Sequence, residues 1–393
     1  MQEINLITRK LESEPPKPDN FMIPLLDLNR AHAPLHAELM AVCENVLKEG
    51  KFIMGPAVGR FESAVAAYVG VPHAISCASG SDALLVALMA LGLRPGDEVV
   101  TTAYSFFSTA SAITRLGLSA KFADIDPGTF NLTPASLQRS LTANTKAVIA
   151  VHLFGQTCEI AEISGICRSR GIRLVEDAAQ SLGASFQGTM AGAFGDIGCY
   201  SFFPSKNLGG FGDGGMMVTA DTALAEQMSI LRLHGAKPKY YHQQVGIGSR
   251  LDTLQAALLE VKLAHLDAYA AGRQRNARLY RKLLAGVDGV LLPDELPGAV
   301  PVYNQFCIRT QARDALRQAL SDQGIGTEIY YPIPLHLQEC FRDLGCKEGD
   351  FPIAEECAKT SMALPIFGDL TEEELREVAG AIRTFFASNS PAR

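Results

Sequence analysis

The sequence predicts an α/β protein whose larger domain is a mainly parallel β-sheet covered by helices on both faces. Between residues 73 and 220, short β-prone runs alternate with helical runs, and such alternation is typical of parallel sheets. A long helical stretch follows at residues 251–284, and one strand and two helices are predicted after it. We therefore expect a large domain at residues 21–250, a linking helix, and a smaller α+β domain at residues 285–393.

The ordered chain is expected to begin after a flexible arm at residues 1–20. The second half of this arm combines acidic side chains and three prolines with few apolar residues, a composition typical of disorder. Ile23 begins the ordered part. Two helices are then expected, at residues 37–47 and 60–68, with a turn at residues 52–56 between them.

Seven strands and three helices account for the alternating segment. The strands are expected at residues 74–76, 98–102, 120–124, 147–151, 172–175, 199–203 and 216–219, and the helices at residues 82–91, 108–116 and 160–170. The smaller domain is expected to contain a strand at residues 302–308, a helix at residues 312–323, a turn at residues 324–326 and a helix after Thr371. Ligands of parallel α/β sheets bind beyond the carboxyl ends of the strands, so residues at those ends are the candidates for a site.

Composition and charge exclude several classes of protein. The net charge of −7 argues against nucleic-acid binding, which needs basic patches. No apolar run approaches the ~18 residues of a membrane span, and the N-terminus lacks the order of a signal peptide. Nine dispersed cysteines suit reduced thiols. We expect a cytoplasmic protein with no nucleic-acid, membrane or metal partner.

Lys206 stands just after the strand predicted at residues 199–203, and five glycines follow between residues 209 and 215. With no other cation in this loop, burial would lower the pKa of the lysine and free its amine as a nucleophile. A surface lysine in a glycine-rich turn is the alternative. The GxGxxG pattern at residues 210–215 fits a dinucleotide fingerprint, but that fingerprint needs a following helix, and residues 216–219 predict a strand.

A phosphate-binding turn is predicted at residues 78–81, between a strand and the N-terminus of a helix. The backbone N–H groups of Gly80 and Ser81 would hold a phosphate there, assisted by the helix dipole. A plain helix cap is the alternative. Asp82 opposes the phosphate hypothesis, since a carboxylate beside a dianion is unfavourable, and its side chain would have to turn away.

Asp177 lies at the end of a predicted strand, and Gln180 follows three residues later. With Lys206, they match the needs of an aldehyde cofactor on a pyridine ring: an amine for a Schiff base, a carboxylate for the ring nitrogen, a phosphate cradle and a flat apolar face. Phe106 would supply that face, unless it packs in the core. Ser201 would add a hydroxyl to the phosphate.

Short motifs spread along the chain carry a resemblance to a known family. They are GKFIMG at residues 50–55, SGSDAL at 79–84, PGDEV at 95–99, YSF at 104–106, FADID at 122–126, HLFGQ at 152–156, EDAAQ at 176–180, SFFPSKN at 201–207, GDGG at 212–215, RLDTLQAA at 250–257 and YPIPLH at 331–336. On these motifs, residues 23–386 resemble the DegT/DnrJ/EryC1/StrS family of pyridoxal-phosphate sugar aminotransferases.

The resemblance implies the aspartate aminotransferase fold, PLP-transferase fold type I, with a mainly parallel seven-stranded sheet. It implies that Lys206 holds pyridoxal 5′-phosphate (PLP) and shuttles protons, that Asp177 pairs with the pyridinium, and that Gln180 lies near the phenolic oxygen. Phe106 is expected to stack on the ring. The phosphate ligands are expected to be Gly80, Ser81 and Ser201.

The implied reaction is a ping-pong transamination in which PLP cycles with pyridoxamine 5′-phosphate (PMP). Glutamate is the expected amino donor, and a keto group of a nucleotide-activated hexose is the acceptor. Residues 237–242 and 330–336 resemble those of members acting on 3-keto sugars, which favours C-3, with C-4 as the alternative. The expected substrate contacts are Tyr330, Tyr331, His336 and Arg250. A homodimer is expected, because the family pattern places the loop at residues 246–250 near the cofactor of the other subunit.

Two departures from the family pattern bear on the site. Gly248 replaces the usual asparagine of G-x-N-x-R, which in relatives reaches the phosphate of the neighbouring subunit. We expect this phosphate site to be under-filled, so that Gly248→Asn tightens cofactor binding if the backbone φ there is negative. Asn304 stands where many members have histidine, which affects the expected substrate contacts.

Two other classes of function remain as alternatives. One is a PMP-dependent sugar dehydratase on the same fold, although such relatives carry histidine where this chain has Lys206. The other is a non-catalytic member that acts as a binding or regulatory protein, which the loss of asparagine at Gly248 would suit. The presence of Lys206, Asp177, Gln180 and Ser201 favours the enzyme.

Overall fold

The computed structural model describes residues 22–389, so the arm predicted at residues 1–20 lies outside the described residues. The strands up to the middle of the chain are β1 (His73–Cys77), β2 (Glu98–Thr102), β3 (Ser119–Ala123), β4 (Thr145–Val151), β5 (Arg173–Asp177), β6 (Ser185–Phe186), β7 (Thr189–Met190), β8 (Ile197–Ser201) and β9 (Gly215–Thr219). Seven of them form one sheet in the order β1-β9-β8-β5-β4-β2-β3. All neighbours are parallel except at β9, which is antiparallel to β1 and to β8. The predicted fold class is confirmed.

Helices cover this sheet. They are α1 (Leu28–His32), α2 (His36–Glu49), α3 (Pro56–Val69), α4 (Gly80–Ala90), α5 (Phe107–Arg115), α6 (Pro134–Ser140), α7 (Ile160–Ser169), α8 (Thr222–Leu231), α9 (Thr253–Leu263) and α10 (Leu266–Leu284). Successive side chains of a strand point to opposite faces, and β9 shows the result. Met216 packs in the core that contains Phe61 of α3, whereas Met217 packs in the core that contains Leu84 of α4.

The glycine-rich loop at residues 209–215 leads into β9 and not into a helix. The GxGxxG pattern in this loop is therefore not a dinucleotide fingerprint, as the sequence indicated. By contrast, α4 begins directly beyond β1 and is anchored by the buried run at residues 83–88. Each fully buried Leu or Val contributes roughly 1.5–3 kcal/mol, so the N-terminus of α4 is held firmly.

Two predicted elements differ in the structure. The helix predicted at residues 251–284 is two helices, because His265 N–H donates to Lys262 O in a three-residue turn that ends α9. The strand predicted at residues 302–308 is confined to β11 (Phe306–Arg309), since Tyr303 has a φ of 46° and cannot continue an extended strand. Helices α1, α6 and α8 were not predicted, nor was the helix at Pro352–Thr360.

The C-terminal part contains β10 (Ala299–Val300), β11, β12 (Ser361–Leu364), α11 (Arg313–Asp322), α12 (Pro352–Thr360) and α13 (Glu372–Asn389). Strands β11 and β12 form an antiparallel pair. Their core also receives Tyr280 of α10 and Ile23, which forms a bridge with Ile325. The expected domain boundaries stay a prediction. Within residues 22–389, no helix is both long and apolar enough to cross a bilayer.

Candidate active site

A cavity of about 750 Å³ lies at the carboxyl ends of the parallel strands. Such a volume falls within the roughly 300–1,000 Å³ typical of small-molecule sites. It is lined by residues that follow β1, β2, β4, β5 and β8, together with the loop at residues 328–335. The predicted site residues that line it are Gly80, Ser81, Phe106, Asp177, Gln180, Ser201, Lys206, Tyr330 and Tyr331.

Lys206 lies in the turn that follows β8, where its backbone N–H donates to Phe203 O at 2.8 Å. Its side chain is partly buried in the cavity. Desolvation lowers the pKa of Lys206 to about 8, and the negative charge of Asp177 opposes that shift. At neutral pH the amine is therefore neutral in about one molecule in ten, far more than for an exposed lysine.

Asp177 ends β5 and is buried at the floor of the cavity. Its Oδ2 accepts a hydrogen bond from Thr109 Oγ1 at 2.8 Å, whereas Oδ1 receives only a longer bond from Ala179 N–H at 3.3 Å. Burial raises the pKa of Asp177, and the bond from Thr109 is the largest effect that opposes this. Oδ1 is thus the oxygen that remains for a cationic partner.

The turn that the sequence predicts to hold a phosphate lies at the start of α4. Ser79 caps the helix by accepting the Asp82 N–H at 3.1 Å, which leaves the first-turn N–H groups of Gly80 and Ser81 for a ligand. A Cβ atom on Gly80 would lie 2.6 Å from Ser201 Cβ, so glycine alone permits this close approach. The Asp82 carboxylate is turned away, as the sequence required, and accepts a hydrogen bond from Ser249 Oγ at 2.7 Å.

Gln180 is held in one orientation by its neighbours. Its Oε1 accepts the Phe154 N–H at 2.7 Å, and because a backbone N–H can only donate, Nε2 must be the other end of the amide. Nε2 donates to Tyr331 Oη at 3.0 Å. Its second N–H is free to face an acceptor in the cavity, which suits the predicted contact with a phenolic oxygen.

The aromatic rings of Phe106 and Tyr331 line the cavity. Phe106 is 57% exposed, which excludes the alternative of ordinary core packing. Its ring centroid lies 6.4 Å from that of Tyr331, and the Tyr331 ring stacks on Phe154 at 6.2 Å. Tyr331 and Phe154 both have positive φ values, 56° and 58°. Such backbone strain costs on the order of 1–3 kcal/mol per residue and is concentrated at functional sites.

Two expected substrate contacts do not line the cavity. His336 is 2% exposed, its Nε2 lies 3.0 Å from Glu355 Oε1, and its ring packs edge-on against Phe351 at 4.7 Å. In this position it contributes to packing beneath the loop. Arg250 is also absent from the lining, so in one protomer neither residue supports the role that the resemblance implied.

The two departures from the family pattern have local explanations. A Cβ atom on Gly248 would lie 2.7 Å from His234 Cε1, so the exposed His234 ring would have to shift to admit an asparagine. Asn304 Nδ2 donates to Asn207 Oδ1 at 2.8 Å and supports the turn that carries Lys206. Asn304 is 5% exposed and does not line the cavity.

Sequence reasoning missed three residues that position the site. Thr109 holds Asp177, Phe154 orients Gln180, and Asn207 links the lysine turn to the small domain. Asn207 lies beside Lys206 in the SFFPSKN motif and could have been found there. The pairing of Thr109 with Asp177 spans 68 residues, and no pattern in the sequence indicates it.

Residues 34–383 match the model of the DegT/DnrJ/EryC1/StrS aminotransferase family. The chain belongs to this family. Two sequence relatives are similar to this chain over almost their whole length. A protein of Geobacillus stearothermophilus named pleiotropic regulatory protein is 46% identical over 93% of this chain and 98% of its own. A UDP-N-acetyl-3-dehydro-alpha-D-glucosamine 3-aminotransferase of Acidithiobacillus ferrooxidans is 42% identical over 93% of this chain and 98% of its own.

Solved structures of aminotransferases share the fold. DesV of S. venezuelae, solved in complex with a ketimine intermediate, superimposes with a TM-score of 0.91 at 37% identity, covering 94% of this chain and 99% of DesV. NtdA of Bacillus subtilis, solved with bound PMP, has a TM-score of 0.85 at 28% identity, covering 92% of this chain and 85% of NtdA. The family match and the sequence relatives show that this chain is an aminotransferase, and the solved structures share its fold.

Proposed function

We propose that this chain is a PLP-dependent aminotransferase that moves an amino group from glutamate to the C-3 keto group of a nucleotide-activated hexose. The observation that carries the proposal is the desolvated Lys206, in one cavity with the carboxylate of Asp177 and the cradle at Gly80 and Ser81. The Acidithiobacillus relative, named as a 3-aminotransferase of a UDP-sugar, supports C-3 over the alternative C-4.

The residues present fit PLP. The first-turn N–H groups of α4 and Ser201 suit its phosphate, Asp177 Oδ1 suits its ring nitrogen, and the exposed face of Phe106 suits its ring. When bound, PLP supplies an aldehyde carbon that exchanges amines and a ring that accepts an electron pair. Each of these groups lies at a different strand end, so the fold brings them together.

Each residue then has a definite task. Lys206 Nζ, neutral in part near pH 7, would take the proton from the α-carbon of the amino donor and would deliver it to the aldehyde-derived carbon of the cofactor. Asp177 Oδ1 would place its negative charge against the ring nitrogen, and Thr109 keeps that carboxylate in place. Gln180 Nε2 would donate to the phenolic oxygen, in the orientation that the Phe154 N–H imposes.

A homodimer with shared sites is part of the proposal. Among the described residues that line the cavity, Lys206 is the single lysine or arginine, although the substrate carries a diphosphate. We propose a second copy as the source of further cations. Exposed apolar side chains on α2 and the following turn, Met40, Leu47, Phe52 and Ile53, offer a surface for it. Sedimentation at micromolar concentration tests this, and an active monomer would contradict it.

The test of the chemistry begins with the purified protein and PLP. Borohydride reduction should attach the cofactor to Lys206, and peptide mapping should find the label there. Lys262 is a natural internal control, because burial also lowers its pKa to about 8 although it does not line the cavity. A label on Lys262, or full turnover by Lys206→Ala, would reject the assignment.

Two further measurements separate the alternatives. Incubation with glutamate should produce 2-oxoglutarate and PMP, which a non-catalytic regulatory protein would not do. The PMP form is then offered 3-keto and 4-keto nucleotide sugars in parallel, and mass spectrometry identifies the aminated product. If only the 4-keto sugars yield an aminated product, the position of amination is C-4 and not C-3. Loss of a hydroxyl from the sugar without amination would indicate a dehydratase.

A further inference from the structure

We infer that Ser249 is a positioning residue that sets phosphate affinity by holding the Asp82 carboxylate away from the cradle. The inference rests on the proposed function, because the cradle at Gly80 and Ser81 is assigned there to the phosphate of PLP. Asp82 follows these two residues directly, in the same first turn of α4. A carboxylate in a first helical turn competes with a bound anion for the positive end of the helix.

The direction of the Ser249 hydrogen bonds is determined by its partners. Its Oγ accepts the Ala78 N–H at 3.1 Å, and a backbone N–H can only donate. The single hydroxyl proton of Ser249 is therefore directed to Asp82 Oδ2, 2.7 Å away. Ser249 is fully buried, so water does not replace this bond. Asp82 itself does not line the cavity, whereas Ser79, Gly80 and Ser81 do.

The backbone around Ser249 is fixed independently of Asp82. Its N–H donates to Arg232 O at 3.0 Å, and Gly248 forms a β-bridge with Leu233. Gly248 itself is exposed, so these two backbone contacts are what fix the position of Ser249. Ser249 thus acts from a rigid frame, and its hydroxyl restrains the carboxylate on the side of α4 that faces away from the ligand.

Removal of the hydroxyl frees the Asp82 side chain to turn toward the first-turn N–H groups and the bound phosphate. Like charges a few ångströms apart repel by a few kcal/mol at most near a protein surface, which is ample for a measurable change in affinity. We expect Ser249→Ala to raise the dissociation constants of inorganic phosphate and of PLP about three- to tenfold. Asp82→Asn removes the repulsion and should lower both constants.

The deciding experiment is a double-mutant cycle on the full-length protein freed of cofactor, titrated with inorganic phosphate and with PLP. If Ser249 acts through the charge of Asp82, then Ser249→Ala should change affinity less than about twofold in the Asp82→Asn background. Ser164→Ala is the matched control, since it removes a buried hydroxyl that donates to Phe194 O far from the cradle. Thermal melting of every variant reports folding separately.

The outcomes are distinct. Equal losses from Ser249→Ala in both backgrounds, or unchanged affinity in Asp82→Asn, would overturn the inference and leave Ser249 a structural support of Ala78. If the unmodified protein binds neither phosphate nor PLP, the proposed function fails and the inference fails with it. Weaker binding by Ser249→Ala alone, abolished by Asp82→Asn, is the expected result.

Discussion

Thr109 Oγ1 donates a hydrogen bond to Asp177 Oδ2 at 2.8 Å, with both side chains buried beneath the cavity. Ser105 Oγ lies 3.0 Å from the same Thr109 oxygen. One oxygen of the carboxylate is therefore occupied by the protein, and the other is left for a ligand. Because burial raises the pKa of Asp177, this bond also helps to keep the carboxylate ionised.

Thr109→Val keeps the shape of the side chain and removes the hydroxyl. A hydrogen bond to a charged group contributes roughly 1.5–3 kcal/mol, so we expect a tenfold or greater loss in turnover and weaker PLP binding. Thr109→Ser retains the hydroxyl and should keep most activity. Steady-state kinetics and PLP titration measure both effects, and an unimpaired valine variant would show that Asp177 needs no such support.

Lys206 illustrates a function that costs stability. Its pKa is lowered from 10.5 to about 8 in the folded protein. The free-energy cost of burying the charged amine is therefore complete below pH 8 and decreases as pH rises from 8 to 10.5. Lys206→Met should therefore raise the free energy of unfolding of the cofactor-free protein at pH 7 by about 1–3 kcal/mol. The lower end of this range takes into account that Lys206→Met also loses the favourable attraction between Lys206 and Asp177.

Urea unfolding of the cofactor-free protein at pH 7 and pH 9.5 tests this sign. The advantage of Lys206→Met should shrink at the higher pH, while its transaminase activity is absent at both. Lys48→Met is the control, because Lys48 is 68% exposed and pairs only with Glu44 on the surface. A methionine variant that is less stable than the unmodified protein at pH 7 would contradict the argument.

Gly248→Asn was expected from the sequence to tighten cofactor binding. The structure changes that expectation, because the new Cβ would lie 2.7 Å from the His234 ring. We now expect Gly248→Asn to leave affinity for PLP no better. Because Gly248 and His234 are both exposed, the ring can shift, and the free energy of unfolding should fall by only about 0.5 kcal/mol. Gly248→Ala introduces the Cβ without the amide and so measures the steric effect alone. Adding His234→Ala to Gly248→Asn should relieve the contact between the new Cβ and the His234 ring. Tighter PLP binding by Gly248→Asn alone would restore the earlier hypothesis.

Arg30 and Glu374 join α1 to α13 through two parallel hydrogen bonds of 2.8 and 2.6 Å. The bond from Arg30 lowers the pKa of Glu374 from 4.5 to about 2. Since the folded-state pKa is depressed, the stabilisation is complete above pH 4.5 and is lost as pH falls toward 2. The pair is partly exposed, so we discount its contribution to about 1 kcal/mol.

Glu374→Gln should therefore lower the free energy of unfolding by about 1 kcal/mol at pH 7 and by less at pH 3. Denaturant unfolding at the two pH values measures the difference. Glu372→Gln is the matched control, because Glu372 pairs with Arg376 one turn away and is 64% exposed. An effect of Glu374→Gln that grows as pH falls would contradict the assigned pKa shift.

The sequence by itself determined the fold class and the main residues of the candidate site. The alternation of strands and helices is local, and Lys206, Asp177 and Gly80 each follow a strand whose apolar run is readable from the chain. Because parallel strands deliver their carboxyl ends to one edge of the sheet, locating the strands was enough to bring these residues together.

Tertiary structure alone decided the contacts that make these residues work. Thr109 reaches Asp177, Ser249 reaches Asp82, and Phe154 reaches Gln180 across 68, 167 and 26 residues. The tertiary structure also decided the position of His336. Its place in a family motif suggested a substrate contact, and the structure buries its ring against Phe351. Hydrogen bonds and packing between distant segments depend on where the whole fold directs each side chain. The local pattern of residues therefore does not predict these contacts.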